Sequence, residues 1–516
     1  MKLPIGISTF SEIRLENYLY VDKTRFALDL VTRHKYVFLS RPRRFGKSLF
    51  LDTLKELFEG NRKLFTGLYI DGRYDFPTHP VIKISFGGNR SSDELLGMLA
   101  YSMRLNSDRL GVEYESDDYA ISFSEIIGNA CKKYGKKVVV LIDEYDKPIL
   151  DNVDQPKVAV ECREILKRLY TQLKENDAYL RFALLTGVSK FARVSIFSGL
   201  NNLDDISLDP PYAALCGYTQ HDVETIFAPL LAGVDMEKFQ AWYNGYNFNG
   251  ENVYNPFDVL LFISKGHVYR NYWFATGTPG FLIKLLETQE FYAPELENLR
   301  ANESLVNSYN VENIRIEPIL FQSGYLTLEK LVEKPRGGLE YWLRVPNREV
   351  QISFNDMLLD LLTGHASGIP GYQDNLYYAF MDGDLEGMQQ SLRALFAAIP
   401  YTHFTNNPVC RYEGYYGSVF YAAIASLGLK IIPEDVTNRG RADFTVLAGQ
   451  RIYIFEFKVM DEEPLKQIRE RRYYEKYLDT GKEIIIVGIK FDGKERNIAL
   501  MEWESIDATT GKGGDN

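Results

Sequence analysis

Short, nearly continuous apolar runs alternate with longer amphipathic stretches through the first part of the chain. The runs are Tyr36-Val-Phe-Leu39, Val81-Ile-Lys-Ile-Ser-Phe86, Lys137-Val-Val-Val-Leu-Ile-Asp-Glu144 and Leu180-Arg-Phe-Ala-Leu-Leu185. Each reads as a strand. The stretches Leu49 to Glu59, Ser92 to Leu105 and Val158 to Asn176 read as helices. A run that is apolar throughout, like the one ending at Asp143, suits a central parallel strand covered on both faces. Strands alternating with helices predict a helix-covered parallel sheet over residues 1–205.

The pattern changes at Asp209-Pro-Pro211. Residues 206–300 read as helical and aromatic, a lid in character, with a capped helix at Gln220 to Phe227. Residues 301–398 read as a small α+β and helical connector, its last helices interrupted at Gly368-Ile-Pro-Gly371. Residues 399–508 read as helix, three strands, helix, strand. The helices there run from Gly414 to Leu427 and from Glu463 to Leu478, and the strands include Ala442 to Leu447, Arg451 to Val459 and Glu483 to Ile489. The fold class expected is α/β, a parallel nucleotide-binding sheet with a helical lid plus a second, C-terminal α/β core.

Two of these strands end in chemistry. Ser40-Arg-Pro-Arg-Arg-Phe-Gly-Lys-Ser48 stands between a strand and a helix, the order of a phosphate-binding P-loop. Backbone N–H groups of such a loop and its helix N-terminus hold phosphates. Arg44, Phe45, Gly46, Lys47 and Ser48 are the residues expected around ATP. Lys47 reaches the outer phosphates and the Ser48 hydroxyl binds magnesium. Arg41 stands where such loops have their first glycine, and an arginine resists the φ > 0 conformations open to glycine. The loop is expected to turn differently. Asp143 ends the apolar strand, where an α/β sheet binds ligands. It is expected on the magnesium, and Glu144 as the base that polarises the attacking water. Thr186 ends a neighbouring strand and is placed to sense the γ-phosphate. The plainer alternative is a basic turn before a core helix and an ordinary strand meeting a polar loop.

The C-terminal strands carry a second constellation. If Gly449-Gln450 is a two-residue turn with glycine first, it is type II′, and Asp443 directly faces Glu456. Lys458, two residues on, shares the face of Glu456. Like charges directly opposed destabilise a hairpin, so the acids are expected to share a cation or a proton. Oxygen-only ligands suit magnesium or manganese, and Lys458 can orient a water or neutralise charge on phosphorus. The helix that follows carries Lys466, Arg469, Arg471, Arg472 and Lys476, read either as phosphate contacts or as a solvated face. Gln467 can hydrogen-bond near the acids. The alternative for the whole patch is a lysine-bridged ion pair.

Composition adds bounds. The 516 residues suffice for two or three domains, and a 45% hydrophobic content suffices for their cores. A net charge of −11 argues against a general nucleic-acid coat but leaves room for a local basic groove. Cys131, Cys162, Cys216 and Cys410 lack metal-site spacing, and scattered single cysteines suit a reducing cytoplasm. No secretory leader and no membrane span are apparent. The many Tyr and Phe residues are expected in cores, and the residues from Thr509 are expected to be frayed.

These residues resemble a bacterial and archaeal family of AAA-ATPase-like proteins with a C-terminal PD-(D/E)XK nuclease-superfamily domain. The resemblance lies in Tyr20-Val-Asp-Lys-Thr24, Arg41-Pro-Arg-Arg-Phe-Gly-Lys-Ser48, Ile142-Asp-Glu-Tyr-Asp146, Tyr243-Asn-Gly-Tyr246, Gly324-Tyr-Leu-Thr327, Pro346-Asn347 and Phe455-Glu-Phe-Lys458. It implies an AAA-like core at 1–205 and a nuclease-like domain at 399–508. It places the superfamily's acids on Asp443 and Glu456, its lysine on Lys458, and a helix glutamate, a further metal ligand, on Glu413. Ala442 replaces the proline of the superfamily motif. ATP, Mg2+ or Mn2+, and DNA or RNA are the implied cofactors and partner, in a homo-oligomer or a single chain. The function implied is a cytoplasmic ATPase coupled to a metal-dependent nuclease. Two alternatives stay open: an ATP-dependent switch or scaffold whose nuclease-like domain binds nucleic acid without cutting, and a signalling NTPase with no nucleic-acid role.

Overall fold

The computed structural model describes residues 2–88, 91–190, 200, 202–274, 282, 292–303, 316–364, 371–399, 413–459 and 463–506. Two compact units emerge. The first comprises Met1–Lys284 and Arg300–Asn347, the second Leu285–Leu299 and Arg348–Asn516. The division falls inside two of the expected pieces, the lid at 284/285 and the connector at 347/348.

The first unit is built on five strands: β1 (Tyr36–Ser40), β2 (Val81–Ser85), β3 (Val138–Asp143), β4 (Leu180–Gly187) and the short β5 (Asp204–Asp205). Their order is β2-β3-β4-β1-β5, and every neighbouring pair is parallel. β4 lies between the loop-bearing β1 and the acid-bearing β3. β3 is buried at all six positions, as its unbroken apolar run requires. Helix α1 (Lys47–Phe58) follows β1. The second of the connecting helices, Tyr119–Tyr134, is absent from the sequence reading. It is capped by Asp118, whose carboxylate accepts from the N–H groups of Ala120 and Ile121.

The region after Pro211 forms an aromatic cluster in this unit, including Phe227, Phe239, Tyr243, Tyr254 and Phe262. Its first helix, Gln220–Thr225, has a capping box: Thr219 accepts from the Asp222 N–H and the Asp222 carboxylate accepts from the Thr219 N–H. That is the capped helix expected there, two residues shorter than expected.

The second unit holds a sheet of β6 (Lys430–Thr437), β7 (Gly440–Ala448), β8 (Arg451–Val459), β9 (Glu483–Asp492) and β10 (Asn497–Ile506), in that order. Only β8 and β9 are parallel. Helix α2 (Glu413–Ser426) covers one face and α3 (Pro464–Arg471) the other. β8 shows why. Its odd positions Phe455 and Phe457 pack with Phe420 of α2, at 4.9 and 5.0 Å between ring centroids. Its even positions Ile452 and Ile454 join Leu465 and Ile468 of α3 in a separate cluster. Burying each such side chain contributes roughly 1.5–3 kcal/mol, so both faces of β8 are committed to the interior.

β10 is a strand beyond those expected. The helix expected from Glu463 to Leu478 breaks: α3 ends at Arg471, Arg472 turns left-handed at φ +47°, and a 3-10 stretch runs Tyr473–Thr480. The break lets Tyr473 and Tyr474 enter the cluster beneath the sheet. Cys410, residues 368–370 of the expected interruption, the Glu413 side chain and the residues from Thr509 lie outside the described residues. Among the described residues no helix is long and apolar enough to cross a membrane.

Candidate functional sites

In the first unit, the loop between β1 and α1 is shaped by two left-handed residues, Arg44 at φ +67° and Gly46 at φ +89°. The left-handed turn thus falls at 44 and 46, and Arg41 is not strained. Its backbone N–H donates to the Gly187 carbonyl at 3.2 Å. Its guanidinium, 1% exposed, donates to the Ser40, Ser207 and Tyr212 carbonyls and lies 4.0 Å from the Phe248 ring centre. Burial pulls it down to about 10. Arg41 therefore anchors the base of the loop. The Phe45 ring is buried edge-on against Tyr246 and Phe248, so what it can offer a phosphate is its backbone N–H.

The Lys47 ammonium donates to the Arg41 and Pro42 carbonyls at 2.8 and 2.9 Å. Burial holds it below the usual lysine range, and the charge of Asp143 opposes that shift. Asp143 and Thr186 end adjacent strands, and the Thr186 hydroxyl donates to Asp143 Oδ1 at 2.5 Å. The Glu144 N–H donates to the same oxygen at 3.1 Å. Glu144 itself is left-handed, φ +54°. Burial raises its carboxyl above the usual range against the pull of Lys147, whose ammonium is 3.8 Å away.

Lys47, Ser48, Arg44 and Glu144 line one cleft of about 1180 Å³. Arg43 and Lys147, which the sequence reading did not single out, line it too. Both stand beside motif residues, and that adjacency was the available signal. A mainly apolar cavity shares Gly46 and Leu49 with this cleft and is lined by Tyr20, Val21, Leu215 and Cys216. Tyr20, Val21 and Lys23 thus line a cavity beside the loop.

In the second unit the hairpin register pairs Ala448 with Arg451 through to Phe444 with Phe455. Gly449 takes φ +55°, as the first position of a type II′ turn requires. The paired residues end at Phe444 and Phe455, and Asp443 and Glu456 stand just past the β7–β8 ladder. There the Phe457 N–H donates to the Asp443 carboxylate at 2.6 Å. On the other side of β7, Glu434 leaves the ladder: pairing runs from Pro433–Phe444 to Asp435–Ala442, and Glu434 takes φ +47°. An irregularity of this kind beside a site re-aims its side chains.

Glu456 is 2% exposed, set between Phe455 and Phe457. Lys458 donates to its Oε1 at 3.1 Å, and Gln467 of α3 donates to the same oxygen. Gln467 is therefore at the centre, as expected, and its amide also reaches the Tyr473 hydroxyl at 3.3 Å. Burial raises the Asp443 carboxyl above the usual range, opposed by the Phe457 N–H and by Lys458. Lys458 is thus common to both acids.

The oxygens of two carboxylates, Glu456 buried and Asp443 half-buried, suit a hard divalent cation. Among the described residues no group of three or more His, Cys, Asp or Glu side chains could hold a metal. The expected third ligand, Glu413, begins α2, with its side chain outside the described residues. Three of the basic residues in and after α3 are held by acids. Arg469 pairs with Glu504 at 2.5 Å, Lys476 with Asp435 at 2.5 Å and Arg472 with Glu475 at 3.2 Å.

A parallel sheet with a phosphate-type loop, and a second sheet carrying paired acids and a lysine, define an AAA-like unit joined to a nuclease-like unit. Residues 4–197 match the family described as "Predicted AAA-ATPase", and residues 411–501 match the PD-(D/E)XK nuclease superfamily. The chain belongs to the AAA-ATPase-like proteins that carry a PD-(D/E)XK nuclease-superfamily domain. It is 47% identical over 516 residues to the "Uncharacterized protein in vnfD 5'region" of Azotobacter chroococcum mcd 1, covering 98% of this chain and 99% of that protein. No solved structure matches.

Proposed function

We propose that this chain binds and hydrolyses ATP in the first unit and cuts nucleic-acid phosphodiester bonds in the second. The observation that carries the reading is the meeting of Asp443, Glu456 and Lys458 at one point of a buried sheet.

In the first unit, the loop N–H groups from Arg44 to Ser48 cradle the phosphates, and Lys47 leaves its carbonyl partners for the outer ones. Ser48 and Asp143 would hold magnesium, Thr186 fixes the orientation of Asp143, and Glu144 takes a proton from the attacking water. The apolar cavity beside Gly46 takes the base.

In the second unit, Asp443 and Glu456, with Glu413, would hold magnesium or manganese. The cation, when bound, supplies an activated water and neutralises phosphate charge. Gln467 holds Glu456 in place, and Lys458 stabilises the negative charge that develops on the phosphate oxygens. DNA or RNA is the substrate class, and the scattered cysteines support a cytoplasmic setting. The same charges support a second reading, binding without cutting. Phe457, Lys458 and Gln467 already occupy oxygens of the two acids.

Purified full-length chain incubated with labelled DNA and RNA, manganese and ATP tests both halves. Lys47→Ala should remove ATP turnover, and Asp443→Asn should remove cleavage. Strand binding without cleavage in the parent would select the second reading, and cleavage that survives Asp443→Asn would refute the assignment of the site.

A further inference from the structure

A small sheet in the first unit carries cations that no motif described above uses. Its three antiparallel strands are Arg300–Asn302, Thr327–Glu333 and Leu339–Arg344, with Leu339–Arg344 in the middle. Side chains alternate along the middle strand. Tyr341 and Leu343 are buried, as are their cross-strand partners Ala301 and Leu328. Glu340 and Trp342 point to the opposite face, where Arg300, Lys330 and Val332 are exposed. Trp342 pairs directly with Lys330 on one neighbouring strand and with Arg300 on the other. The Lys330 ammonium lies 3.7 Å and the Arg300 guanidinium carbon 4.0 Å from the Trp342 ring centre.

The acid on this face is already satisfied. Glu340 accepts from the Trp342 indole N–H at 3.0 Å and pairs with Lys334 at 3.5 Å. Among the described residues no acid stands within ion-pair distance of Arg300 or Lys330. An exposed lysine or arginine has about 2 kcal/mol of rotamer entropy to lose on binding. Here the indole ring holds both cations, one from each side of the middle strand, so part of that freedom is gone before a ligand arrives. The flanking strands stand about 9–10 Å apart, close enough for one phosphodiester backbone crossing the strands to touch both cations. The face is thus locally cationic in a chain of net charge −11, and it complements a row of phosphates. The sheet is also continuous in sequence with the second unit at both ends, at 299/300 and 347/348. A strand held here is therefore tethered to the nuclease-like unit.

Resting on the nucleic-acid part of the function proposed above, and not on cleavage, we propose that this sheet face is a docking surface for nucleic acid. Arg300 and Lys330, set in place by Trp342, hold two phosphates of one strand, and such contacts position the backbone without reading sequence.

The test is binding of two labelled single-stranded oligonucleotides of unrelated sequence to the full-length chain. Fluorescence anisotropy is recorded in calcium over a range of salt, with thermal melting alongside. The double variant Arg300→Ala/Lys330→Ala alters exposed side chains and should melt like the parent. It should bind both sequences about tenfold more weakly, and the slope of log K against log salt should flatten by about 0.7 for each cation removed. Trp342→Leu changes no charge, yet should weaken binding several-fold because the cations are no longer held; if it melts early, the double variant decides. Equal affinity and equal salt slope in the double variant overturn the proposal, and so does a parent that binds neither oligonucleotide. Displacement by poly-glutamate as effective as by unlabelled oligonucleotide overturns it too, by making the face a site for acidic peptide. Cleavage in manganese is read separately. A parent that binds without cutting, with variants that bind less, ends the cleavage reading and keeps the docking surface.

Discussion

Glu144 shows how much one residue can depend on its surroundings. Its backbone is left-handed at φ +54°, a conformation that costs a non-glycine residue of order 1–3 kcal/mol and gathers at functional sites. Arg44, lining the same cleft, is left-handed too. Glu144→Gln should keep ATP binding and lower turnover about 100- to 10,000-fold, the range for loss of a general base. Isothermal calorimetry and phosphate release measure the two separately; unchanged turnover would assign the base elsewhere. The pH profile has a definite sign. Burial raises the carboxyl in the folded state, and the carboxylate is the active form. Turnover should therefore fall as pH drops through a value above the ordinary glutamate range. Lys147→Met removes the opposing charge and should move that limb higher still. The stability contribution runs the other way. A raised folded pKa means stability present below the unfolded value and lost as pH rises through the folded one.

At the scale of elements, α3 and β9 are joined by a missing side chain. A Cβ on Gly488 would lie 2.6 Å from the Leu465 backbone nitrogen and 3.0 Å from the Pro464 Cγ. Gly488 pairs with Glu456 across β8 and β9, and Gln467 on α3 holds that acid. Gly488→Ala should push α3 off the sheet, at a cost of about 1–3 kcal/mol, and loosen Glu456 as well. Urea denaturation of the full chain measures the first effect and cleavage rate the second. Stability equal to the parent would mean the helix end yields without strain. The break at Arg472 belongs to this scale too. The polar pattern from Glu463 onward is that of one solvated helix, but burial of Tyr473 and Tyr474 prevails over local propensity.

For the whole molecule, the testable quantity is the coupling of folding to cation binding. A ligand bound only by the folded state stabilises it, by about 2.7 kcal/mol at a hundred times its dissociation constant. Manganese should raise the melting temperature of the parent chain. Asp443→Asn should abolish that rise and could melt higher than the metal-free parent, because a half-buried carboxylate near Glu456 is removed. A mutant that responds to manganese as the parent does would reduce the constellation to an ion pair.

The sequence alone determined the features that depend on local pattern. Short, nearly continuous apolar runs suit covered strands, so β3 and β4 and the acid and threonine at their ends were legible. The period of two along β8 separated Phe455 and Phe457 from Ile452, Ile454 and Glu456. The Gly449 turn carried the register of the hairpin from Ala448–Arg451 to Phe444–Phe455, which ends beside Asp443 and Glu456. The tertiary structure decided what depends on residues distant in the chain. Arg41 looked like a defect until the carbonyls of Ser207 and Tyr212 gave its guanidinium a buried purpose. β4's insertion between β1 and β3 brings Thr186 to Asp143, and strand order leaves no trace in periodicity. Tyr292, more than a hundred residues before Gly417, lies against α2 because a short turn packs there. Contacts of that range are set by the packing of whole elements, and no local pattern encodes them.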